Sequence, residues 1–195
     1  KEIKISSNED FLIEINNNKG SYKITGRPAE EFPETPQTKI KEKLEFDGKQ
    51  LINIINKTTF AASKDELKPA LCGVYFKAEK ETLIAVATDG HKLVKTKTTT
   101  NKKTEQKNSL VIPVKFLNII KNIYEPKEKI ILNISDNHIE VEQQTIKVLS
   151  RIIKDNFPDF NSVIPESNTT KITINTEDVL NSLKRVSIFS NKTTK

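Results

Sequence analysis

The chain repeats itself at a distance of 128 residues. Lys43-Leu44-Glu45-Phe46-Asp47 is followed by Leu51, Ile52, Asn53, Ile55, Lys57 and Ser63. Lys171-Ile172-Thr173-Ile174-Asn175 is followed, with no gap in the offset, by Val179, Leu180, Asn181, Leu183, Arg185 and Asn191. In each copy an alternation of apolar and polar residues, the period of a half-buried strand, gives way to the spacing of an amphipathic helix. The switch falls on a residue able to cap a helix, Asp47 in one copy and Asn175 in the other. A second matched pair, Phe32-Pro33 and Phe157-Pro158, lies 125 residues apart and closes a linker in each copy. Solenoid units run to about 20–50 residues, so this period belongs to whole domains in tandem. It predicts a complete unit at 38–160, the tail of a similar one at 1–37, and the opening of a third at 161–195.

Within the central unit the pattern predicts strands at 41–46, 73–78, 82–88, 92–97, 109–112, 129–135, 138–143 and 145–151. Helices are predicted at 49–61 and 114–123, the second opening behind Pro113. Glu79-Lys80-Glu81 and Asp136-Asn137 read as hairpin turns, and the polar stretch 98–108 as an exposed loop. Strands with two amphipathic helices make an α+β domain, its helices packed on strand-rich sheets. Leu51, Ile54, Ile55, Leu117, Ile120 and Tyr124 recur at helical spacing and are expected to face the sheets.

Composition narrows the function classes. The formal net charge of +6 permits a polyanionic partner without requiring one. No apolar run approaches the roughly 18 residues of a membrane span, so no membrane partner is expected. The single Cys72 excludes an internal disulfide framework and fits a reducing cytoplasm, and its apolar neighbours predict a small core residue. The Asn-x-Ser/Thr matches at Asn56, Asn133, Asn168 and Asn191 are what chance yields in a chain rich in Asn and Thr. The chain contains no Met and reads as an internal piece of a longer protein. Catalysis has little to draw on. His91 and His138 are the only histidines, no spacing makes a metal site, and neither a nucleophile elbow nor a Gly-rich phosphate loop is present. No enzyme activity, cofactor or metal is expected.

The most specific stretch is Ala87-Thr88-Asp89-Gly90-His91-Lys92-Leu93. It resembles the Ala-Thr-Asp-Gly-His-Arg-Leu signature of the bacterial DNA sliding clamp, the β subunit of DNA polymerase III. Leu71-Cys72-Gly73-Val74-Tyr75-Phe76 resembles the strand before that signature, and Val111-Ile112-Pro113 the start of the second helix. Phe157-Pro158-Asp159-Phe160-Asn161-Ser162-Val163-Ile164-Pro165 resembles the linker into the third domain. Gly26-Arg27-Pro28-Ala29-Glu30-Glu31-Phe32-Pro33 resembles the end of the first. The motifs fall in family order and cover essentially the whole chain.

The resemblance implies a DNA clamp fold of three similar domains, closed into a ring by a head-to-tail homodimer of the full-length protein. It implies a non-catalytic processivity factor that encircles double-stranded DNA without reading its sequence. The implied partners are the DNA polymerase III catalytic subunit, the clamp loader and other proteins with clamp-binding motifs. The alternative is another non-catalytic DNA-binding module that shares the fold. Lys49, Asn53 and Lys57 of the first helix and Lys115 and Lys121 of the second would face DNA, both helices being free of acids. Pro69 and Ala70 stand where some members place aromatic residues that touch DNA, which leaves Lys64 and Lys68 for phosphate there. A groove for partner peptides would use Leu71, Thr88, Gly90, His91, Lys92, Leu93, Pro158 and Val163, the rest of its wall coming from the end of the third domain. Lys92 departs from the usual Arg, exchanging a planar fork for a flexible ammonium. Read without the family, Asp89-Gly90-His91 is a plain turn.

Overall fold

The computed structural model describes residues 2–104 and 109–190. The opening segment forms an antiparallel three-stranded sheet, ordered β1-β2-β3, from β1 (Lys4–Ser7), β2 (Leu12–Asn17) and β3 (Gly20–Thr25). All the residues of these three strands are exposed or half-buried.

The central unit has two antiparallel sheets with two helices packed against both. β4 (Glu42–Asp47), β8 (Lys129–Ile134), β9 (His138–Gln143) and β10 (Ile146–Arg151) make a sheet ordered β10-β9-β8-β4. β5 (Gly73–Thr88), β6 (Leu93–Thr104) and β7 (Ser109–Pro113) make the other, ordered β6-β5-β7. α1 (Gly48–Thr58) touches β4 and β8 of one sheet and β5 and β6 of the other, and α2 (Val114–Ile123) packs on α1, β7 and β10. All six apolar residues expected to face inward are buried, alongside Phe76, Phe116, Ile112, Ile130 and Leu132. Each such side chain contributes about 1.5–3 kcal/mol by leaving water, which is what holds short helices that are marginal on their own.

β5 is one run of strand residues, yet its halves are not collinear. Its first half pairs with β7 and its second with β6. Tyr75 in the first half and Lys95, the ladder partner of Val86 in the second, both contact the ring of Phe160. A straight strand would separate Tyr75 from Val86 by about 36 Å at ~3.3 Å per residue, more than two side chains and two contacts can bridge. The strand therefore folds back at the register irregularity between Lys80 and Thr82, where the sequence predicts a turn. This brings its two ends, Gly73 and Thr88, to the same end of the sheet.

Three expectations need correction. The stretch 98–108 is not all loop: β6 continues to Thr104, with Thr98 and Thr99 paired to Leu83 and Thr82. β-branched threonines fit a pleated surface well, and a strand partner outweighs their polarity. Residues 105–108 lie outside the described set. Cys72 is no core residue; it is half-exposed in a 3-10 turn (Pro69–Cys72) and its thiol donates to the Asp65 carbonyl at 3.1 Å. Finally, the second repeat copy keeps its helix but not its strand. α3 (Thr176–Ser187) begins 128 residues after α1, and Asn175 caps it as Asp47 caps α1. Among the described residues, 171–175 pair with no strand. A cap and a helical period act within a few residues, whereas a strand exists only when another lies beside it.

Candidate functional site

Two surfaces carry the residues singled out by sequence. The first is the outer face of the two helices. Asp47 accepts from the Gln50 amide at 3.1 Å and starts α1. The burial of Leu51, Ile54, Ile55 and Thr58 then turns Lys49, Asn53 and Lys57 outward as an exposed stripe at spacings of four. In α2, burial of Phe116, Leu117 and Ile120 leaves Lys115 and Lys121 exposed with Asn118 and Asn122. Neither helix contains an acid, and Lys57 and Lys121 fall in last turns, where positive charge suits the helix dipole. Lys64 and Lys68 are exposed on the loop after α1. Amide side chains and ammonium groups spread over this face offer phosphate oxygens many equivalent donors.

One polar residue on that face has another task. The Gln50 side-chain amide donates to the Thr98 hydroxyl at 2.7 Å and to the Thr99 carbonyl at 2.6 Å. It ties the extended part of β6 to the start of α1. The two border an open hollow of about 720 Å³ whose lining includes Asp47, Lys49, Gln50, Asn53, Asn56 and Thr99.

The second surface surrounds the turn between β5 and β6. The Thr88 hydroxyl donates to the Lys92 carbonyl at 2.8 Å and accepts from the Gly90 amide at 3.1 Å, so it is fully used within the turn. One oxygen of Asp89 accepts from the His91 and Lys92 amides, both at 2.9 Å, and the other pairs with the Lys92 ammonium. The hydrogen bond from Lys92, then those from the two amides, hold the Asp89 carboxyl well below the ordinary aspartate range. Gly90 has φ +93, the left-handed region that a side chain disfavours, and an added Cβ would meet nothing within 4 Å. The structure thus gathers Thr88, Gly90, His91, Lys92 and Leu93 into one tight turn. Lys92 is engaged inside it rather than reaching outward.

Leu71 enters from the other end of folded-back β5. Its carbonyl accepts from the Ser63 amide at 2.8 Å, and its side chain is half-buried. Pro158 and Val163 come from the segment after β10 and are exposed, Val163 to 66%. That segment is held by Ile153, whose amide donates to the Val111 carbonyl at 3.0 Å, and by the stack of Phe157 on Tyr75 at 5.1 Å. Sequence reasoning missed Tyr75 and Lys95. The available signal was parity: Tyr75 stands between buried Val74 and Phe76, so a strand must turn it to the opposite face.

Cys72 lies in the same 3-10 turn as Leu71. Burial first, then the charges of Glu66 and Asp65, raise its thiol above the ordinary value, which disfavours the reactive thiolate.

The comparisons with known proteins agree on one family. The sequence profile for the DNA polymerase III beta subunit, central domain, matches residues 45–159. The beta sliding clamp of Bacillus subtilis (strain 168) is 28% identical over 189 residues, spanning 96% of this chain and 50% of that protein. The beta sliding clamp of Staphylococcus epidermidis is 30% identical over 191 residues, spanning 97% of this chain and 50% of its own length. The chain therefore spans about half the length of the curated relatives it matches. The crystal structure of the Bacillus subtilis clamp superposes with a TM-score of 0.82, covering 97% of this chain and 50% of that one. That of the DNA polymerase III subunit beta from Borrelia burgdorferi, in complex with a natural product, gives 0.81 at 27% identity, covering 98% and 52%. With the profile lying over the two-sheet, two-helix unit, this chain belongs to the DNA polymerase III beta subunit family, the family of the beta sliding clamps.

Proposed function

We propose that this chain supplies the central domain, with parts of its neighbours, of a sliding clamp. In the full-length protein a head-to-tail homodimer would close a ring around double-stranded DNA. The ring would tether the DNA polymerase III catalytic subunit in the cytoplasm, and receive the clamp loader and other replication and repair proteins. It catalyses nothing itself. The tether works by topology, which raises the local concentration of polymerase at the primer without tight DNA affinity.

The observation that carries this reading is the paired helix face. Lys49, Asn53, Lys57, Lys115 and Lys121 are exposed on two adjacent helices that contain no acid. Long flexible ammonium groups attract phosphate without fixing a register, and a protein that must slide needs that property. Lys64 and Lys68 extend the charge beyond the end of α1. The turn Thr88 to Leu93, with Leu71, Pro158 and Val163, is read as one wall of a groove for partner peptides with apolar anchors. Leu71, Leu93, Pro158 and Val163 furnish apolar surface there.

The test uses the full-length protein loaded on nicked circular DNA. Retention on the circle and loss on linearisation, whatever the sequence, are the expected results. Retention on linear DNA, or dependence on a particular sequence, would refute the clamp reading. Replacing Lys49 and Lys57 together by Ala should lower the slope of log affinity against log salt by roughly 1–2, at about 0.9 per phosphate contact.

A further inference from the structure

Pro158 and Val163 are exposed, and no hydrogen bond fixes their side chains, so their neighbours decide where they stand. Those neighbours are fixed by a cluster that spans two strands. The ring of Tyr75 on β5 stacks on Phe157 at 5.1 Å with 24° between planes, and lies 5.8 Å from Phe160. Phe160 meets Phe157 edge-on at 6.5 Å and is 9% exposed. From β6 the Lys95 ammonium stands 5.1 Å from the Phe160 ring centroid and donates to the Asn161 side-chain oxygen at 3.1 Å. Beyond Asn161 the chain turns on itself: the Asn161 amide donates to the Asp159 carboxylate, the Ser162 hydroxyl to the Asp159 carbonyl, and the Ile164 amide to the Asn161 carbonyl. Val163 is inside that turn, so it moves with Asn161.

Lys95 is two residues after Leu93 on the same strand, and side chains at that spacing share a face. The lysine that grips Phe160 and Asn161 is thus anchored on the strand that supplies Leu93 to the proposed groove. We infer that Tyr75 and Lys95 are positioning residues for peptide docking: they pin the segment Phe157 to Asn161 and so set the spacing between Pro158 and Val163 on one side and the 88–93 turn on the other. Neither residue needs to touch the peptide. The aromatic contacts supply area and a preferred geometry, and the ammonium adds a cation–π contact and a directional hydrogen bond. This inference rests on the docking reading given above, and the experiment separates the two.

The probe is a fluorescein-labelled peptide with leucine and phenylalanine anchors, titrated by anisotropy into the full-length protein. Parent, Leu93→Ala, Tyr75→Ala, Tyr75→Phe, Lys95→Met and Lys95→Arg are compared, with amide hydrogen exchange at residues 158–164 and the melting temperature measured on each. Tyr75→Ala and Lys95→Met should each weaken binding about tenfold and speed exchange in that segment. Tyr75→Phe should bind as the parent does, since the stack needs only the ring, and Lys95→Arg should recover most of the affinity. A purely structural role would lower the melting temperature without the selective gain in exchange or the rescue. Should Tyr75→Ala fail to fold, Lys95→Met carries the test, because Lys95 is exposed. Parent-like binding by Tyr75→Ala and Lys95→Met, with loss in Leu93→Ala, would overturn the pinning role and leave the docking groove standing. A parent that ignores the peptide, or a Leu93→Ala variant that binds normally, would overturn both.

Discussion

Gly73→Ala is a substitution whose outcome the structure constrains tightly. A Cβ built at Gly73 would lie 2.5 Å from Val111 Cγ1, 2.8 Å from the Ile112 carbonyl oxygen and 2.9 Å from Ile153 Cδ1. The isoleucine methyl can swing aside. Val111 is buried and β-branched, with one favoured rotamer, and the Ile112 oxygen belongs to the β5–β7 ladder in which Gly73 faces Pro113. Overpacking of this kind costs about 1–3 kcal/mol, and easing the ladder apart adds up to ~1 kcal/mol. The stiffer unfolded chain returns about 0.4–1 kcal/mol. The net expectation is a loss of roughly 2 kcal/mol, or about 4–8 °C in melting temperature for a chain of this size. Urea unfolding followed by far-ultraviolet circular dichroism reads it as a lower midpoint at unchanged slope. Val111→Ala removes the nearest obstructing atom, so the double variant should be less destabilised than the two single losses added together by about 1 kcal/mol. A Gly73→Ala protein within 0.5 kcal/mol of the parent, or a strictly additive pair, would refute the argument.

Gly90 should behave differently, since its Cβ has open space and only φ is at issue; Gly90→Ala should cost about 1 kcal/mol, read by the same unfolding curves, with no rescue from any neighbour's truncation. Phe116→Ala removes a fully buried ring shared by α2 and the sheets and should cost about 3–5 kcal/mol, measured by thermal unfolding. Asp47→Ala deletes the cap of α1 and should cost about 1 kcal/mol, with faster amide exchange confined to the first turn of that helix. The Asp89 carboxyl should titrate below the usual aspartate range, because Lys92 and two amides hold its charged form. Its contribution to the turn is therefore complete above the unfolded aspartate value and fades as pH falls through the lower folded one. A carbon-13 titration of the side-chain carboxyl checks this, and Lys92→Met should move the midpoint back up.

The sequence made the helices and most strands legible because their signals are local. The 114–123 period gave α2 at both ends, and Asn175 stands directly before α3. By contrast, α1 begins at Gly48, one residue ahead of the predicted 49, and passes after Thr58 into a 3-10 turn that ends at the predicted Ala61. Burial of Leu51, Ile54 and Ile55 followed from spacing alone. What stayed hidden depends on partners distant in the chain. The extension of β6 through Thr98 and Thr99 exists because Leu83 and Thr82 lie beside it, and no window around residue 98 contains that fact. The environment of Cys72 follows from a loop that returns Asp65 to its thiol. The turn residues of the candidate groove were found through a resemblance, whereas Tyr75 and Lys95 emerged only when β5 was seen to fold back.

The bond from Gln50 to the Thr99 carbonyl has a bearing on how this protein behaves among copies of itself. Among the described residues β6 has no strand on its far side, so it is a free border of its sheet. Such a border is a template on which a foreign chain can crystallise strand by strand, and natural sheets defend it. Here the defence has two parts. Lys97 sets a charge along the border, and the Gln50 amide occupies the Thr98 hydroxyl and the Thr99 carbonyl from above. A helix side chain thereby occupies a main-chain acceptor and a hydroxyl on a border strand of a sheet to which it does not belong.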